Sequence, residues 1–563
     1  MKGSNKMKKK WWQEAVIYEI YCKSFCDSNG DGIGDLKGVM SKLPILKELG
    51  IDCIWFTPIF TSPQVDNGYD VADYQNIDPD YGTLEDFKAL LEMAHGMGIR
   101  VVMDMVLNHS SDEHYWFKES RKSKDNPYRN YYIWQPPKAD GSEPNNWGNY
   151  FHEGNGSAWT YDAQTGEYYL HQYAAKMPDL NWEYEPLRQE IYKMLNWWLD
   201  MGVDGFRLDV FTQFKKKAGF PETKKEPNFP YDRNGFIVDR SMCTNIDGIH
   251  ELIHELHTEV FGLHDCFTVG EGAGVTAKNA LDYICQSREE LSTVYHFEIE
   301  KGRNAEGFRK VQSDWAEVTK HNAWPVQYMS NHDRPRQVSS YGNDKEYRVE
   351  SAKLLGTLLH TTPGIPFVYQ GEEFGMTDVR YPSIEDYNCC YTLGSYQSMI
   401  ENGLASEEAL EKAAKGSRDN ARTPYQWDGS INAGFSEGKP WIKVNPNYEQ
   451  INLEKDRASE DSIFAYYQKL IAIRREHPAM IDGDLEYLLK DHPEMVVYLR
   501  KCAREIILVI ANYSDNVVKV DLPEEIKAGK WERILTNYED QAPSVEGREE
   551  WKPWEVEVYA LSR

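Results

Sequence analysis

An arginine and a carboxylate end the apolar segment at residues 203–210 of this chain. The segment predicts a β-strand, on which side chains two positions apart share a face, so Arg207 and Asp209 are expected to point the same way. A guanidinium beside a carboxylate favours the ionised form, which is the form that attacks an electrophilic carbon. Taken alone, such a pair is more often a buried structural ion pair than a nucleophile and its partner.

Further carboxylates end other predicted strands. Glu271 is the last residue of the apolar segment 266–271, and Asp333 follows the segment 325–331. The reactive groups of a β/α barrel lie at the C-terminal ends of its strands, so these two carboxylates and Asp209 are expected to face one cleft. A purely structural role would not bring three carboxylates to that place. The sequence therefore predicts an active site.

A pair of carboxylates in an aromatic pocket suits hydrolysis of a glycosidic bond. Neighbouring barrel strands lie about 5 Å apart, which predicts the short carboxylate separation of a retaining mechanism. Asp209, beside Arg207, is the expected nucleophile, and Glu271, which has no basic neighbour in sequence, is the expected proton carrier. The 17 Trp and 36 Tyr residues provide candidate stacking surfaces for sugars, although a large aromatic core would use the same residue types.

Strand-like and helical segments alternate along the chain. The predicted strands are residues 15–25, 51–60, 99–108, 203–210, 266–271, 293–298, 325–331 and 365–370. The predicted helices are residues 36–50, 84–98, 185–202, 246–261, 277–286, 305–320, 345–359 and 461–477. Eight alternations of this kind are typical of an α/β fold, the (β/α)8 TIM barrel.

Two long connections and a change of pattern predict further domains. Residues 110–176, rich in Trp, Tyr, Asn and Gly, predict a small inserted domain after the third strand, and residues 375–441 are a second long excursion. Short alternating runs after Gly483 predict a C-terminal antiparallel β-sandwich. The predicted domains are residues 1–109 and 177–483 for the two parts of the catalytic barrel, 110–176 for the inserted domain B, and 484–563 for the sandwich.

Oxygen ligands alternate along one early loop. The candidate metal ligands are Asp27, Asn29, Asp31, the carbonyl of Ile33, and Asp35. The spacing resembles the first nine positions of an EF-hand loop, but Gly38 stands at the twelfth position and no long helix precedes the loop. We expect one structural calcium ion here, with an Asx-rich turn without metal as the alternative. No organic cofactor is expected.

Charge and composition argue against several classes of partner. The net charge of −27, from 90 acidic and 63 basic residues, makes nucleic acid and anionic membranes unsuitable partners. Residues 1–12 are polar and rich in lysine, and the sequence has no run of 18 apolar residues. We therefore expect neither a signal peptide nor a membrane span. Nine scattered cysteines predict reduced thiols and a cytoplasmic location. We expect a monomer that binds a small oligosaccharide.

Four motifs, in their order along the chain, resemble the signature regions of glycoside hydrolase family 13, the α-amylase family. They are residues 104–109, residues 205–209, Glu271 with the preceding Val269 and Gly270, and residues 331–333. The resemblance extends over almost the whole chain. It implies a TIM barrel with an inserted domain after strand three, a C-terminal β-domain, and a retaining double displacement at α-glucosidic bonds.

The resemblance also implies a role for each matching residue. Asp209 is the implied nucleophile, Glu271 the implied acid/base, and Asp333 the third carboxylate, which holds sugar hydroxyls. The implied substrate-binding residues are Asp66, Tyr69, His109, Arg207, Val210, His332 and Arg422.

Additional motifs are similar to those of the oligo-1,6-glucosidase and dextran glucosidase group. They are residues 27–35, 66–69, 178–182 and 422–424. Members of that group are exo-acting, and the likeness implies that Asp66 and Arg422 close the pocket around a terminal glucose on which Tyr69 stacks. In related enzymes a valine at the position of Val210 accompanies α-1,6 activity. Isomaltose, isomalto-oligosaccharides and panose are therefore the expected substrates, with α-1,4 linkages as a further possibility.

Other activities use the same scaffold. A trehalose-6-phosphate hydrolase needs cations near the leaving group, and residues 215–217 are all lysine. A broad-specificity α-1,4-glucosidase or sucrose hydrolase is a second alternative. Sucrose isomerases are disfavoured because their Arg-Leu-Asp-Arg-Asp loop is absent from residues 298–315. A non-catalytic scaffold of this fold is disfavoured by the intact carboxylate triad.

Overall fold

A parallel eight-stranded sheet forms the centre of the computed structural model, which describes residues 9–151, 156–224, 234–539 and 545–562. Its strands are β1 (Ile17–Ile20), β2 (Cys53–Phe56), β3 (Arg100–Met105), β4 (Gly205–Leu208), β5 (Phe267–Gly272), β6 (Thr293–His296), β7 (Val326–Gln327) and β8 (Ile365–Tyr369). They lie in the order β6-β5-β4-β3-β2-β1-β8-β7. Because β1 pairs with both β2 and β8, the sheet curls into a nearly closed barrel. The predicted TIM barrel is confirmed.

Helices alternate with these strands as predicted. They are α1 (Leu36–Leu49), α2 (Leu84–Gly96), α3 (Glu185–Met201), α4 (Ile249–Glu259), α5 (Leu281–Ile284), α6 (Ala305–Thr319), α7 (Arg348–Thr361) and α8 (Ile463–Glu476). Asp35 caps α1 by accepting from the backbone N–H of Gly38, and Gly50 ends it in the left-handed conformation. The helix α5 is shorter than predicted because Asn279 accepts from the N–H of Thr276 and holds the preceding residues in a turn.

Shorter helices complete the connections between these elements. They are Tyr115–Ser120, Gln337–Tyr341, Cys390–Glu401, Ser406–Lys415, Asp419–Arg422, Leu453–Arg457, Pro478–Asp482 and Glu524–Lys527. Among the residues that the structure describes, no helix has both the length and the apolar content that crossing a membrane requires.

The connection between β3 and α3 carries a small antiparallel sheet of its own. Its strands are Trp134–Gln135, Glu167–Leu170 and Trp159–Asp162, in that order across the sheet. Isolated bridges flank it, one between His109 after β3 and Asp179, and another between Tyr132 and Leu180. The sheet lies within the segment predicted to be an inserted domain, whose exact limits stay a prediction.

An antiparallel sheet forms the C-terminal part of the chain. Its five strands lie in the order Asp484–Leu488, Met495–Lys501, Glu505–Asn512, Val556–Ser562 and Glu532–Thr536. One face packs on the barrel, with Val509 in the same buried cluster as Leu358 of α7 and Leu470 of α8. The other face packs, through Leu508 and Trp551, against a two-stranded ribbon of Val518–Lys519 and Glu550–Trp551. This short ribbon is therefore the second layer of the predicted C-terminal β-sandwich.

Candidate active site

Strand pairing brings the predicted catalytic carboxylates together. Arg207 of β4 lies opposite Asp104 of β3 on one side and Val269 of β5 on the other. The β4–β5 ladder ends at Leu208 and Gly270, and one further step along both strands sets Asp209 opposite Glu271. Parallel register thus places these side chains at the same edge of the barrel.

Arg207 connects three buried carboxylates. Its Nη1 donates to Asp104 Oδ1 at 2.8 Å and to Asp209 Oδ1 at 2.6 Å. Its Nη2 lies 2.9 Å from Glu271 Oε2. The predicted pairing of Arg207 with Asp209 is confirmed, but the guanidinium also contacts Glu271. The cationic environment that sequence adjacency assigned to Asp209 is therefore shared by both carboxylates.

The shared guanidinium affects protonation of the cluster. Burial raises the pKa of Asp209 well above its ordinary value, and Arg207 opposes this rise. Burial likewise raises the pKa of Asp104 to about 6, again opposed by Arg207. One cation facing three carboxylates favours retention of a proton within the cluster. A retaining glycosidase needs one carboxyl ionised and another protonated. The raised pKa of Asp209, the expected nucleophile, runs opposite to the direction that its neighbour Arg207 led the sequence to predict, because burial outweighs the charge of Arg207.

Val210 turns the chain sharply after β4. Its φ of 35° and ψ of 39° lie in the left-handed region, which is rare for a β-branched residue. The backbone N–H of Val210 donates to Glu271 Oε2 at 3.1 Å. A strained conformation thus directs a donor to the carboxyl group expected to carry the proton, as strain often does in functional sites.

Tyr69 and His332 form a buried stacked pair. The rings are 5.3 Å apart at 13°, and Tyr69 Oη lies 2.7 Å from His332 Nε2 while donating to Asp104 Oδ2 at 2.9 Å. His332 Nδ1 lies 2.6 Å from Glu19 Oε1. Burial lowers the pKa of His332 and raises that of Glu19, so the two groups are expected to share one proton. The Tyr69 hydroxyl therefore bridges His332 and Asp104.

Two arginines hold the remaining carboxylates. Arg422 donates to Asp333 Oδ1 at 2.8 Å and to the His332 carbonyl at 3.0 Å. Arg418 donates to Asp66 Oδ1 at 2.6 Å and to Asp333 Oδ1 at 3.4 Å. Although burial acts to raise it, the neighbouring His332 and the charges of Arg418 and Arg422 hold the pKa of Asp333 well below its usual range. The partner of Asp66 is thus Arg418, and the closing of the pocket around a terminal glucose by Asp66 and Arg422 stays a prediction.

A cavity of ≈ 580 Å³ opens over this cluster. The predicted site residues that line it are Asp66, Tyr69, His109, Asp209, Val210, Glu271 and Asp333. The other three, Arg207, His332 and Arg422, lie behind this lining and hold the carboxylates. His109 Nε2 lies 3.1 Å from the Tyr69 carbonyl, and burial lowers the pKa of His109 to about 4. A neutral imidazole therefore faces the cavity at neutral pH.

Sequence reasoning missed several residues of the cavity wall. They are Tyr150, Phe151, Tyr173, Arg240, Phe297, Arg334, Tyr391 and Arg418. Arg418 precedes Arg422 by four residues, a spacing that puts two side chains on one face of a helix, and this signal could have identified it. The aromatic residues of the long excursions carried no comparable pattern.

A family model described as the catalytic domain of α-amylase matches residues 19–483. The chain belongs to this family. An oligo-1,6-glucosidase of Parageobacillus thermoglucosidasius is 45% identical over 99% of this chain and 100% of its own length. A solved trehalose-6-phosphate hydrolase of Bacillus licheniformis is 41% identical, with a TM-score of 0.90 over 99% of this chain and 100% of that one. A solved isomaltulose synthase of Protaminobacter rubrum is 37% identical, with a TM-score of 0.92 and the same coverage.

The predicted calcium loop is held by Asx turns. Asp27 accepts from the N–H groups of Asn29 and Gly30, and Asp31 accepts from the N–H of Ile33. Asp35 caps α1. Within the described ranges, no group of three or more His, Cys, Asp or Glu side chains is arranged to hold a metal ion. The loop also offers the side chain of Asn29 and the carbonyl of Ile33 as ligands, and calcium at this loop stays a prediction.

Proposed function

We propose that this protein is an exo-acting retaining α-glucosidase that removes terminal α-1,6-linked glucose from isomaltose, isomalto-oligosaccharides and panose. The observation that carries the proposal is the meeting of Asp209, Glu271 and Asp333 in one cavity of ≈ 580 Å³. That volume lies in the range of small-ligand sites. The ion pair between Asp66 and Arg418 lies in the wall of the same cavity and suits recognition of sugar hydroxyls at a terminal residue.

In the proposed reaction, Asp209 attacks the anomeric carbon while Glu271 donates a proton to the departing glycosidic oxygen. The bond from carbon to the leaving oxygen breaks, and an ester between glucose and Asp209 forms. Glu271 then takes a proton from water, which attacks the ester and releases glucose with its configuration retained. Arg207 and the Val210 N–H orient the two carboxyl groups, and Asp333 binds hydroxyls of the sugar.

The linkage preference is supported by Val210 and by the relatives. Val210 lines the cavity immediately after Asp209, and oligo-1,6-glucosidases of several bacilli are 44–45% identical over nearly the whole chain. A branched side chain at this point would hinder the rigid approach of a 4-linked sugar, whereas the additional bond of a 6-linkage lets the leaving sugar turn away.

The deciding experiment is a comparison of glucose release from isomaltose, panose, maltose, sucrose, trehalose and trehalose-6-phosphate. We expect isomaltose and panose to be cleaved fastest, and proton NMR during early turnover to detect α-glucose first. Asp209→Asn should abolish activity and leave the circular dichroism spectrum unchanged. Release of β-glucose first would refute the retaining mechanism, and a fully active Asp209→Asn variant would exclude this nucleophile.

A second candidate is hydrolysis of trehalose-6-phosphate. Arg240 and Arg334 line the cavity and could bind a phosphate on the leaving sugar. The predicted lysine run does not serve this purpose, because Lys215 pairs with Glu183 and Lys216 with Asp179, away from the cavity lining. If this candidate is correct, trehalose-6-phosphate is hydrolysed faster than isomaltose. Arg240→Met then reduces hydrolysis of trehalose-6-phosphate more than hydrolysis of trehalose.

The remaining proposals concern calcium, assembly and location. Side-chain oxygens of Asp27, Asn29 and Asp31 lie at alternate positions of a tight loop, an arrangement that supports one structural calcium ion. All nine cysteines are free thiols, which supports a cytoplasmic location. A monomer accounts for the site, since the residues proposed to act in it come from one chain.

A further inference from the structure

A hairpin after β2 carries two residues of the cavity wall. It joins the short antiparallel strands Phe60–Thr61 and Asp73–Ile77. Asp66 and Tyr69 lie within it and line the cavity. The Tyr69 N–H donates to the Asp66 carbonyl at 3.2 Å, so these two residues are the first and last of a tight turn. The shape of the turn therefore determines how both side chains meet a ligand.

The backbone of this turn adopts conformations that need support. Its central residues, Asn67 and Gly68, have φ angles of 51° and 104°, in the left-handed region that asparagine and glycine tolerate best. Gln64, two residues before Asp66, has a φ of 65°, which is uncommon for a residue of its type. Left-handed residues other than glycine persist only where surrounding contacts hold them.

Lys23 contacts this segment from behind the cavity. It follows β1, is buried, and is not part of the cavity lining. Its Nζ donates to Gln64 Oε1 at 3.1 Å and to Asn67 Oδ1 at 3.0 Å. The same Nζ lies 4.5 Å from the centre of the Trp441 ring, at the end of the second long excursion. One ammonium group thus holds a left-handed residue on each side of Asp66.

The charge of Lys23 is compensated by these contacts. Among the residues that the structure describes, Lys23 forms no ion pair. Burial lowers its pKa to about 8, so the ammonium form still predominates at neutral pH. A buried cation is costly unless it is hydrogen-bonded, and here two amide oxygens and the Trp441 ring stabilise it. The contacts that keep Lys23 buried are therefore the contacts that hold the turn.

We propose that Lys23 is a positioning residue for sugar binding, which holds the turn between Asp66 and Tyr69 in the shape that accepts a terminal glucose. The proposal deepens the proposed function and rests on it for its kinetic test. Lys23 does not touch the sugar and acts through the side chains of Gln64 and Asn67.

A different cation holds the groups of the chemical step. Arg207 contacts both Asp209 and Glu271, and this arrangement does not involve Lys23. The turn instead presents groups that would contact the sugar equally in the ground state and in the transition state. Loss of such uniform binding raises KM and leaves kcat nearly unchanged. Loss of Lys23 should therefore affect KM more than kcat.

The kinetic test compares three lysine variants of the full-length protein on isomaltose. Lys23→Met should raise KM about tenfold and lower kcat by less than about threefold. Lys23→Arg keeps a cation with several N–H donors, so its KM should stay within about threefold of the native value. Lys42→Met is the matched control, because Lys42 Nζ also lies over a tryptophan ring, 4.2 Å from the centre of Trp427, and not at the turn. Its KM should equal that of the native protein.

A variant of the turn tests the same contact from the other side. Asn67→Gly tolerates the positive φ and removes the oxygen that accepts from Lys23. We expect KM to rise severalfold, and the double variant Lys23→Met/Asn67→Gly to show a smaller rise than the product of the two single effects. If Lys23→Met does not fold, the KM of Asn67→Gly decides the outcome.

Hydrogen–deuterium exchange tests the turn without reference to activity. The backbone N–H groups of Val65 and Asp66 donate to Asp70 at 2.8 and 3.0 Å. Their exchange should be faster in Lys23→Met than in the native protein, and unchanged in Lys42→Met.

Several outcomes would overturn the proposal. They are a native KM in Lys23→Met, a loss that falls on kcat alone, impairment of Lys23→Arg equal to that of Lys23→Met, fully independent effects in the double variant, or unchanged exchange at Val65 and Asp66. If the native protein hydrolyses no α-glucoside, the proposed function fails instead. Hydrogen exchange and calorimetric titration with glucose then still test whether Lys23 holds the turn.

Discussion

Replacing Arg418 by methionine should destabilise the protein in a pH-dependent way. Arg418 is buried, donates to Asp66 Oδ1 at 2.6 Å, and lies 3.4 Å from Asp333 Oδ1. In this variant Asp333 still accepts a hydrogen bond from Arg422 at 2.8 Å, so Asp66 is the carboxylate that loses its cationic partner. Removing one member of a buried ion pair costs about 3–5 kcal/mol, because the other charge stays buried without its partner.

The sign of the pH dependence follows from Asp66. Burial already raises the pKa of Asp66, with Arg418 as the largest opposing influence, so removing Arg418 raises this pKa further. A carboxyl group whose pKa is higher in the folded state binds its proton more tightly there. The folded protein therefore loses stability as the pH rises from the pKa of this group in the unfolded chain, about 4, through its pKa in the folded protein. Relative to the native protein, the loss in the free energy of unfolding caused by Arg418→Met should be small at about pH 5 and larger at about pH 8.

Thermal unfolding followed by circular dichroism measures this effect, with the double variant Asp66→Asn/Arg418→Met as the control. The double variant removes both charges, so it should recover much of the lost stability and show little pH dependence. The reasoning is refuted if Arg418→Met has the same melting temperature deficit at both pH values and if adding Asp66→Asn gives no recovery.

Three further outcomes test other parts of the structure. Val210→Ala should narrow the preference for isomaltose over maltose, expected at about ten- to two-hundredfold, chiefly by raising maltose turnover; an unchanged ratio would mean that Val210 serves only packing. Tyr69→Phe removes the hydroxyl that donates to Asp104, which leaves a buried acceptor unsatisfied at a cost of about 1–3 kcal/mol in the free energy of unfolding, and kcat/KM should fall as well because Tyr69 lines the cavity. Native kcat/KM in Tyr69→Phe would exclude that role. A chelator should lower the melting temperature through the loop that contains Asp27, whereas protein purified without a divalent ion and insensitive to the chelator would identify an empty turn.

Local patterns predicted the barrel and the placement of its carboxylates. Apolar segments and amphipathic helices alternate eight times, and each predicted strand overlaps an observed strand of the barrel sheet. Asp209 and Glu271 could be placed from sequence because each ends such a segment, and the ends of parallel strands meet at one edge. Backbone periodicity specifies these features, since it determines which way a side chain points along a strand or helix.

Tertiary structure alone decided which charges meet. Asp66 and Arg418 are 352 residues apart, and neither sequence spacing nor periodicity selects Arg418 over Arg422 as the partner. The sharing of Arg207 between Asp209 and Glu271 likewise depends on how β4 and β5 pair. The lysines at residues 215–217 were compatible with a phosphate site in the sequence, yet two of them pair with acidic residues away from the cavity. Such contacts arise only when the closed barrel brings its loops to one mouth, because side chains distant in sequence then compete for the same few buried partners.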